Sequence, residues 1–105
     1  MQQEVITDTD EQLIRRMTLE PGESMFWHTD TCRSFTVVVR GTKIAIDYAD
    51  GEERLLIDVH PGMAGWDEPE PRVHRAINVG TDTYEEVVTF YKASADIDPQ
   101  PQADD

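Results

Sequence analysis

Apolar and polar residues alternate over short stretches of this chain, and no stretch sustains the three-to-four-residue period of an amphipathic helix. Val, Ile, Thr and aromatic residues gather in segments separated by Gly, Pro and Asp at intervals of about 8–12 residues, the spacing of antiparallel strands in a sandwich or barrel. The pattern predicts strands over residues 11–19, 25–29, 34–39, 42–48, 53–59, 63–66, 73–79 and 84–92. Ala49-Asp50-Gly51 reads as a hairpin connection of type I′, because Asp and Gly tolerate positive φ. Pro21-Gly22, Pro61-Gly62 and Gly80-Thr81-Asp82 mark further turns, and the two Pro-Gly pairs, about forty residues apart, read as the starts of two related halves. Two prolines in Glu68-Pro69-Glu70-Pro71 remove two donors from any ladder, so this stretch reads as a rigid loop leading into the strand that carries His74.

Alternation also sorts the side chains that carry chemistry. Residues two apart on a strand share a face, so Phe26, His28 and Asp30 line one side of theirs. On the later strand His74, Ala76 and Asn78 share one face, and Val73, Arg75, Ile77 and Val79 share the other. The pattern leaves open which of these faces is interior. An inward His74 would meet His28 from an adjoining strand. Two imidazoles and one carboxylate with open positions make the 2-His-1-carboxylate set that suits Fe(II) and also accepts Mn, Ni or Zn. Arg33, Trp66 and Asn78 are the candidate substrate contacts: Arg33 by pairing with a carboxylate, Trp66 as an apolar rim, Asn78 by bracing the pocket. Arg75 falls opposite His74, Trp27 faces away from His28, and His60, beside Pro61, has no partner at ligand spacing.

Composition narrows the partners. The formal net charge of −13 over 105 residues argues against nucleic acid, whose phosphates require clustered Lys and Arg, and against anionic membranes. No apolar run approaches the roughly 18 residues that span a bilayer, and the N-terminus lacks the basic and apolar regions of a signal peptide. Cys32 is the only cysteine, so no internal disulfide forms, and the expected compartment is the cytoplasm. Residues 1–10 read as an N-terminal segment, 11–95 as one domain, and 96–105 as a disordered acidic tail with almost nothing to bury. A chain this small buries roughly 60–65% of its unfolded surface, so pairing with a second copy as a homodimer would help it.

The motif residues resemble those of the cupin superfamily. Gly22, five residues, His28, Asp30, Ser34 and Gly41 stand in order where the first cupin motif has Gly, five residues, His-x-His, Glu and Gly. Pro69, Pro71, His74 and Asn78 match the second motif, with Pro71 replacing a Gly. The resemblance covers about residues 11 to 92 and is nearest to small single-domain cupins associated with β-alanine degradation. It implies an all-β jelly-roll barrel, often dimeric, with metal held at the motif positions. His28 and His74 match ligand positions, Asp30 stands in place of the second His, and Ser34 in place of the Glu.

The expected function is therefore a small cupin that binds a divalent metal, Fe, Mn, Ni or Zn, at His28, Asp30 and His74, with a small metabolite beside it. A metal-dependent dioxygenase or related enzyme is one form of this expectation. The alternative is a non-catalytic module that binds a small ligand without metal. A 2-oxoglutarate oxygenase shares His-x-Asp and a distant His, but it needs a larger chain and a downstream basic residue, and only Arg75 and Lys92 follow His74.

Overall fold

Burial follows the alternation strand by strand in the computed structural model, which describes residues 1–94. Along β2 (Gln12–Leu19) the buried residues are Leu13, Arg15, Met17 and Leu19, and along β9 (Tyr84–Tyr91) they are Tyr84, Val88 and Phe90. These two strands pair antiparallel through their full length, from Gln12 opposite Tyr91 to Leu19 opposite Tyr84. β1 (Gln2–Asp8) extends the sheet on one side of this pair, β4 (Arg33–Arg40) and β7 (Ala64–Asp67) on the other. The facing sheet has the order β3 (His28–Asp30), β8 (Glu70–Asn78), β5 (Lys43–Tyr48) and β6 (Leu55–Asp58). A short 3-10 turn, Lys92–Ser94, ends the described chain.

The result is a two-sheet jelly roll whose inner faces enclose a core and a cavity. Met17, Leu19, Val38, Ile44, Val59 and Tyr84 fill one end, and Leu13, Cys32, Val88 and Phe90 form a second cluster. The sheets stay separate, five strands against four, rather than closing into one hydrogen-bonded barrel. β3, β6 and β7 run only three or four residues, cut short by the corners and prolines around them.

Turn chemistry accounts for the corners. At Pro21-Gly22 the amide of Glu23 donates to the Glu20 carbonyl, and at Pro61-Gly62 that of Met63 donates to His60. Each Pro stands at the second turn position and each Gly, with φ of 88° and 87°, at the third, which is the type II pattern. Each Gly amide then donates to the neighbouring strand, Gly22 to Asn78 and Gly62 to Val38, so the two halves begin in the same way.

Several sequence expectations change in detail. The β5–β6 hairpin forms at Asp50-Gly51, but positive φ occurs at Gly51 and at no non-glycine residue described, so the turn is not type I′. The Gly51 amide closes it onto the Tyr48 carbonyl, and Asp50 Oδ1 accepts from the Glu52 amide. Residues expected as an N-terminal segment form β1, paired with β2 from Gln2 opposite Thr18 to Asp8 opposite Leu13. The strand carrying His74 begins at Glu70 and includes Pro71. There β5 has already ended its pairing at Tyr48 and the β3 register shifts, so the missing proline N–H interrupts no regular ladder. The tail expected over 96–105 lies outside the described residues. Among the described residues no helix is long and apolar enough to cross a membrane.

Gly41 fixes the β4–β5 connection. Its φ of 139° is open to glycine and rarely to other residues, and a Cβ there would come within 2.7 Å of the Tyr84 ring. Gly41→Ala is expected to cost on the order of 2 kcal/mol in urea unfolding, from strain and overpacking together. A loss below about 0.5 kcal/mol would show that the corner relaxes.

Candidate metal centre

The β3–β8 register brings the two histidines together. His28 lies opposite His74, with ring centroids 4.6 Å apart. His74 is 8% exposed and His28 is half-buried, and Asp30 follows His28 on the same inward face. His74 Nε2 lies 3.0 Å from Asp30 Oδ2, and His28 Nε2 lies 3.6 Å from Asp30 Oδ1. One ligand atom from each of the three falls within 4.8 Å of the others, a span suited to a single ion.

Backbone carbonyls set the orientation of both rings. The Phe26 carbonyl lies 2.7 Å from His28 Nδ1, and the Arg72 carbonyl 2.8 Å from His74 Nδ1. A carbonyl only accepts, so each Nδ1 must carry the proton it donates. In a neutral ring that leaves the Nε2 lone pair directed at Asp30, where only a proton or a metal cation gives a favourable contact. The same Nδ1-to-carbonyl arrangement fixes metal-ligating histidines in general.

The two imidazoles respond differently. Burial lowers the His28 pKa against the opposing pull of the Phe26 carbonyl and Asp30. Burial also works against charge on His74, but its hydrogen bonds to Asp30 and to the Arg72 carbonyl outweigh it, and its pKa is raised. Without metal, His74 is the proton partner of Asp30.

The trio opens onto a cavity of about 420 Å³ between the sheets, within the range of small-ligand sites. Its lining includes the apolar Val38, Ile44, Ile46, Val59 and Met63, buried or half-buried, and the polar Tyr48, Asp67, Glu68 and Glu70, of which Asp67 and Glu68 are exposed. Arg72 stacks on Tyr48 with its guanidinium carbon 4.2 Å from the ring centroid and holds Glu70 at 2.7 Å. That pairing lowers the Glu70 pKa to about 2.

Arg33, Trp66 and Asn78 do not line this cavity. Because Ser34 is buried facing inward, Arg33 and Phe35 face outward. Arg33 lies over the Trp66 ring at 4.3 Å and bonds Glu68 at 2.9 Å. Trp66, opposite Phe35, is 52% exposed on the outer face, where it touches Phe35 and Tyr91. Asn78 shares the His74 face but lies beyond the cavity floor. Its amide donates to the Leu19 and Asp82 carbonyls and accepts from the Gly80 amide, so it braces a turn. Arg75 does face away from His74, stacked on Trp27 at 4.4 Å. Cys32 is buried, and burial raises its thiol pKa, which suits a packing role.

Three charged residues that the sequence reading passed over do line the cavity: Arg15, Asp67 and Glu86. For Arg15 and Glu86 the signal is a break in alternation. Arg15 interrupts Leu13, Met17 and Leu19 on the inner face of β2, and Glu86 interrupts Tyr84, Val88 and Phe90 on that of β9. Arg15 lies 4.9 Å from the Phe90 ring centroid. Tyr84 donates to Glu86 at 2.5 Å.

No family profile and no curated protein matches the chain. Among solved structures it is similar to a cupin domain from Bordetella pertussis Tohama I, at 18% identity over 86% of this chain and 91% of that one, with a TM-score of 0.75. It is also similar to an RmlC-like cupin family protein with a double-stranded β-helix fold from Methanocaldococcus jannaschii, at 18% identity, 85% and 77% coverage and a TM-score of 0.68. A cupin superfamily protein from Desulfitobacterium hafniense DCB-2 matches at 13% identity, 86% and 75% coverage and 0.64. At these identities the likeness is one of fold: the chain has the double-stranded β-helix of the cupins. The finer association with β-alanine degradation stays with the sequence motifs alone.

Glu86 gives the cavity a pH signature. Burial raises its carboxyl above the ordinary 4.5, Asp67 and Asp30 act in the same direction, and Tyr84 and Arg15 oppose them. The folded state therefore holds this proton more tightly than the unfolded chain. Its contribution to stability is complete below pH 4.5 and is lost as pH rises through the folded pKa. Glu86→Gln, which keeps an acceptor for Tyr84, is expected to be more stable than the parent near pH 8, with the difference shrinking toward pH 4.5 in urea unfolding. A variant destabilised equally at both pH values would contradict this environment.

Proposed function

We propose that this protein binds a divalent metal ion through His28 Nε2, His74 Nε2 and an oxygen of Asp30, and takes a small metabolite into the adjoining cavity. The observation that carries this reading is the pair of carbonyl-held imidazoles aimed at one carboxylate. Two neutral nitrogens and one charged oxygen suit Fe, Mn, Ni or Zn. Three protein ligands leave room for a substrate oxygen at the ion, which when bound supplies Lewis-acid or, as iron, redox chemistry. The chain's own contribution is to orient the rings, line part of the cavity with apolar side chains and limit the substrate to a small molecule. On this reading the protein is a small metal-dependent enzyme, with dioxygenase chemistry as the specific form when the ion is iron.

One observation favours a second reading. The 3.0 Å contact between His74 and Asp30 is already a complete ion pair when the imidazole is protonated, so a metal-free module for small ligands also fits the geometry. Thermal unfolding of untagged protein separates the two. A metal at about a hundred times its Kd adds ~2.7 kcal/mol, a rise in Tm on the order of 10 °C for a domain of this size, and His28→Ala or His74→Ala abolishes the rise. Unchanged unfolding with Fe(II), Mn(II), Ni(II) and Zn(II) leaves the metal-free reading.

The same proposal includes a homodimer formed through the outer face of the five-stranded sheet, where Trp66 and Val37 are exposed. Light scattering is expected to give the mass of two chains, falling to one in Trp66→Glu. A wild type that is a single chain at about 100 μM would rule the dimer out.

A further inference from the structure

An ion at the trio would meet one carboxylate and two neutral imidazoles, leaving a net positive charge beside the apolar walls of the cavity. A second carboxylate nearby reduces that cost. Four other acids line the cavity, Asp67, Glu68, Glu70 and Glu86. Three are committed elsewhere: Glu68 to Arg33, Glu70 to Arg72, and Glu86 to the Tyr84 hydroxyl.

Asp67 is placed differently. It lies directly opposite Ser34 in the β4–β7 register, and Ser34 is buried on the inner face of β4. Directly opposed residues of an antiparallel pair project to the same side, so the Asp67 carboxylate turns inward with Ser34. Thr36, one inward position further along β4, donates to Asp67 Oδ2 at 3.3 Å and fixes the side chain toward the cavity. Asp67 is near enough for Asp30 and His74 to act on its charge, yet it is not among the ligand atoms gathered within 4.8 Å. It is also exposed, so water has access to it.

We infer that Asp67 is the outer carboxylate of the metal centre, balancing the ion's charge and accepting a hydrogen bond from a water at its open side. This rests on the metal reading above. Asp67 is thus a positioning residue supplied by the strand that pairs with Ser34, whose hydroxyl is a poor ligand for a divalent ion.

Isothermal titration of Mn(II) into the untagged full chain tests the inference. Asp67→Asn keeps the Thr36 hydrogen bond and removes a carboxylate whose pKa burial already raises, so its metal-free fold should be at least as stable as the parent, while Mn(II) affinity falls about 10- to 100-fold, as for other groups that support a metal's ligands. Ser34→Glu combined with Asp67→Asn returns a carboxylate from the opposite residue and should restore most of the affinity. A wild type that binds Mn(II) with Asp67→Asn within about twofold of it overturns this inference and leaves the metal reading standing. A double variant as weak as Asp67→Asn also counts against it. A wild type that binds no Mn(II) overturns both together.

Discussion

The pairing of β3 with β8 is the constraint on which the site depends. It sets His28 opposite His74 and, through a shift of register, Asp30 opposite Glu70. Because strand side chains alternate, slipping that pairing by one residue would turn His74 out and Arg75 in. The register is held from outside β3 as well. β5 pairs with β8 from Ile44 opposite Asn78 to Tyr48 opposite His74, and the Met25 and Gly22 amides donate to the Ala76 and Asn78 carbonyls. The short motif strand is therefore positioned by the corners on either side of it rather than by its own three residues.

The inner faces carry more unlike groups than stability alone would select. Arg15, Glu86 and the His-Asp-His trio occupy positions where alternation would otherwise place apolar residues, and burying each of them opposes folding unless it is paired. Tyr84 donating to Glu86 and the carbonyls holding His28 and His74 provide that pairing in part. The rest of the core is conventional, with Leu13, Met17, Leu19 and Tyr84 almost inaccessible. Charged groups and apolar side chains thus share the cavity lining, while the most deeply buried positions are filled by the apolar core.

Much of this was legible in the chain. Strands β2 to β9, with shifted ends such as those of β3, and both Pro-Gly corners follow from local residue chemistry, β1 does not, and His28 and Asp30 share a face because alternation has a period of two. The inward orientation of His74 was not, because its strand mixes apolar and polar residues on both faces, with His74, Ala76 and Asn78 on one and Val73, Arg75 and Ile77 on the other, where Arg75 stacks on Trp27. Arg33 and Trp66 lie outside the cavity lining for a simpler reason. Ser34 already occupies the inward place, so its neighbour Arg33 must face out, and Trp66 lies opposite outward Phe35. Asn78 keeps the predicted face, but its amide is consumed by Leu19, Asp82 and Gly80. Asp67 could not be found by alternation within one strand, since its relation to Ser34 exists only once β4 and β7 pair.

The central claim is that two imidazoles, locked by the Phe26 and Arg72 carbonyls, offer their Nε2 atoms with Asp30 to one ion. Anomalous diffraction from crystals of untagged protein grown with Zn(II), recorded on both sides of the zinc edge, tests it most directly. The account predicts one strong anomalous peak at bonding distance, about 2.0–2.2 Å, from both Nε2 atoms and an Asp30 oxygen. A map in which His74 stays bonded to Asp30 with no peak between the three residues would contradict it.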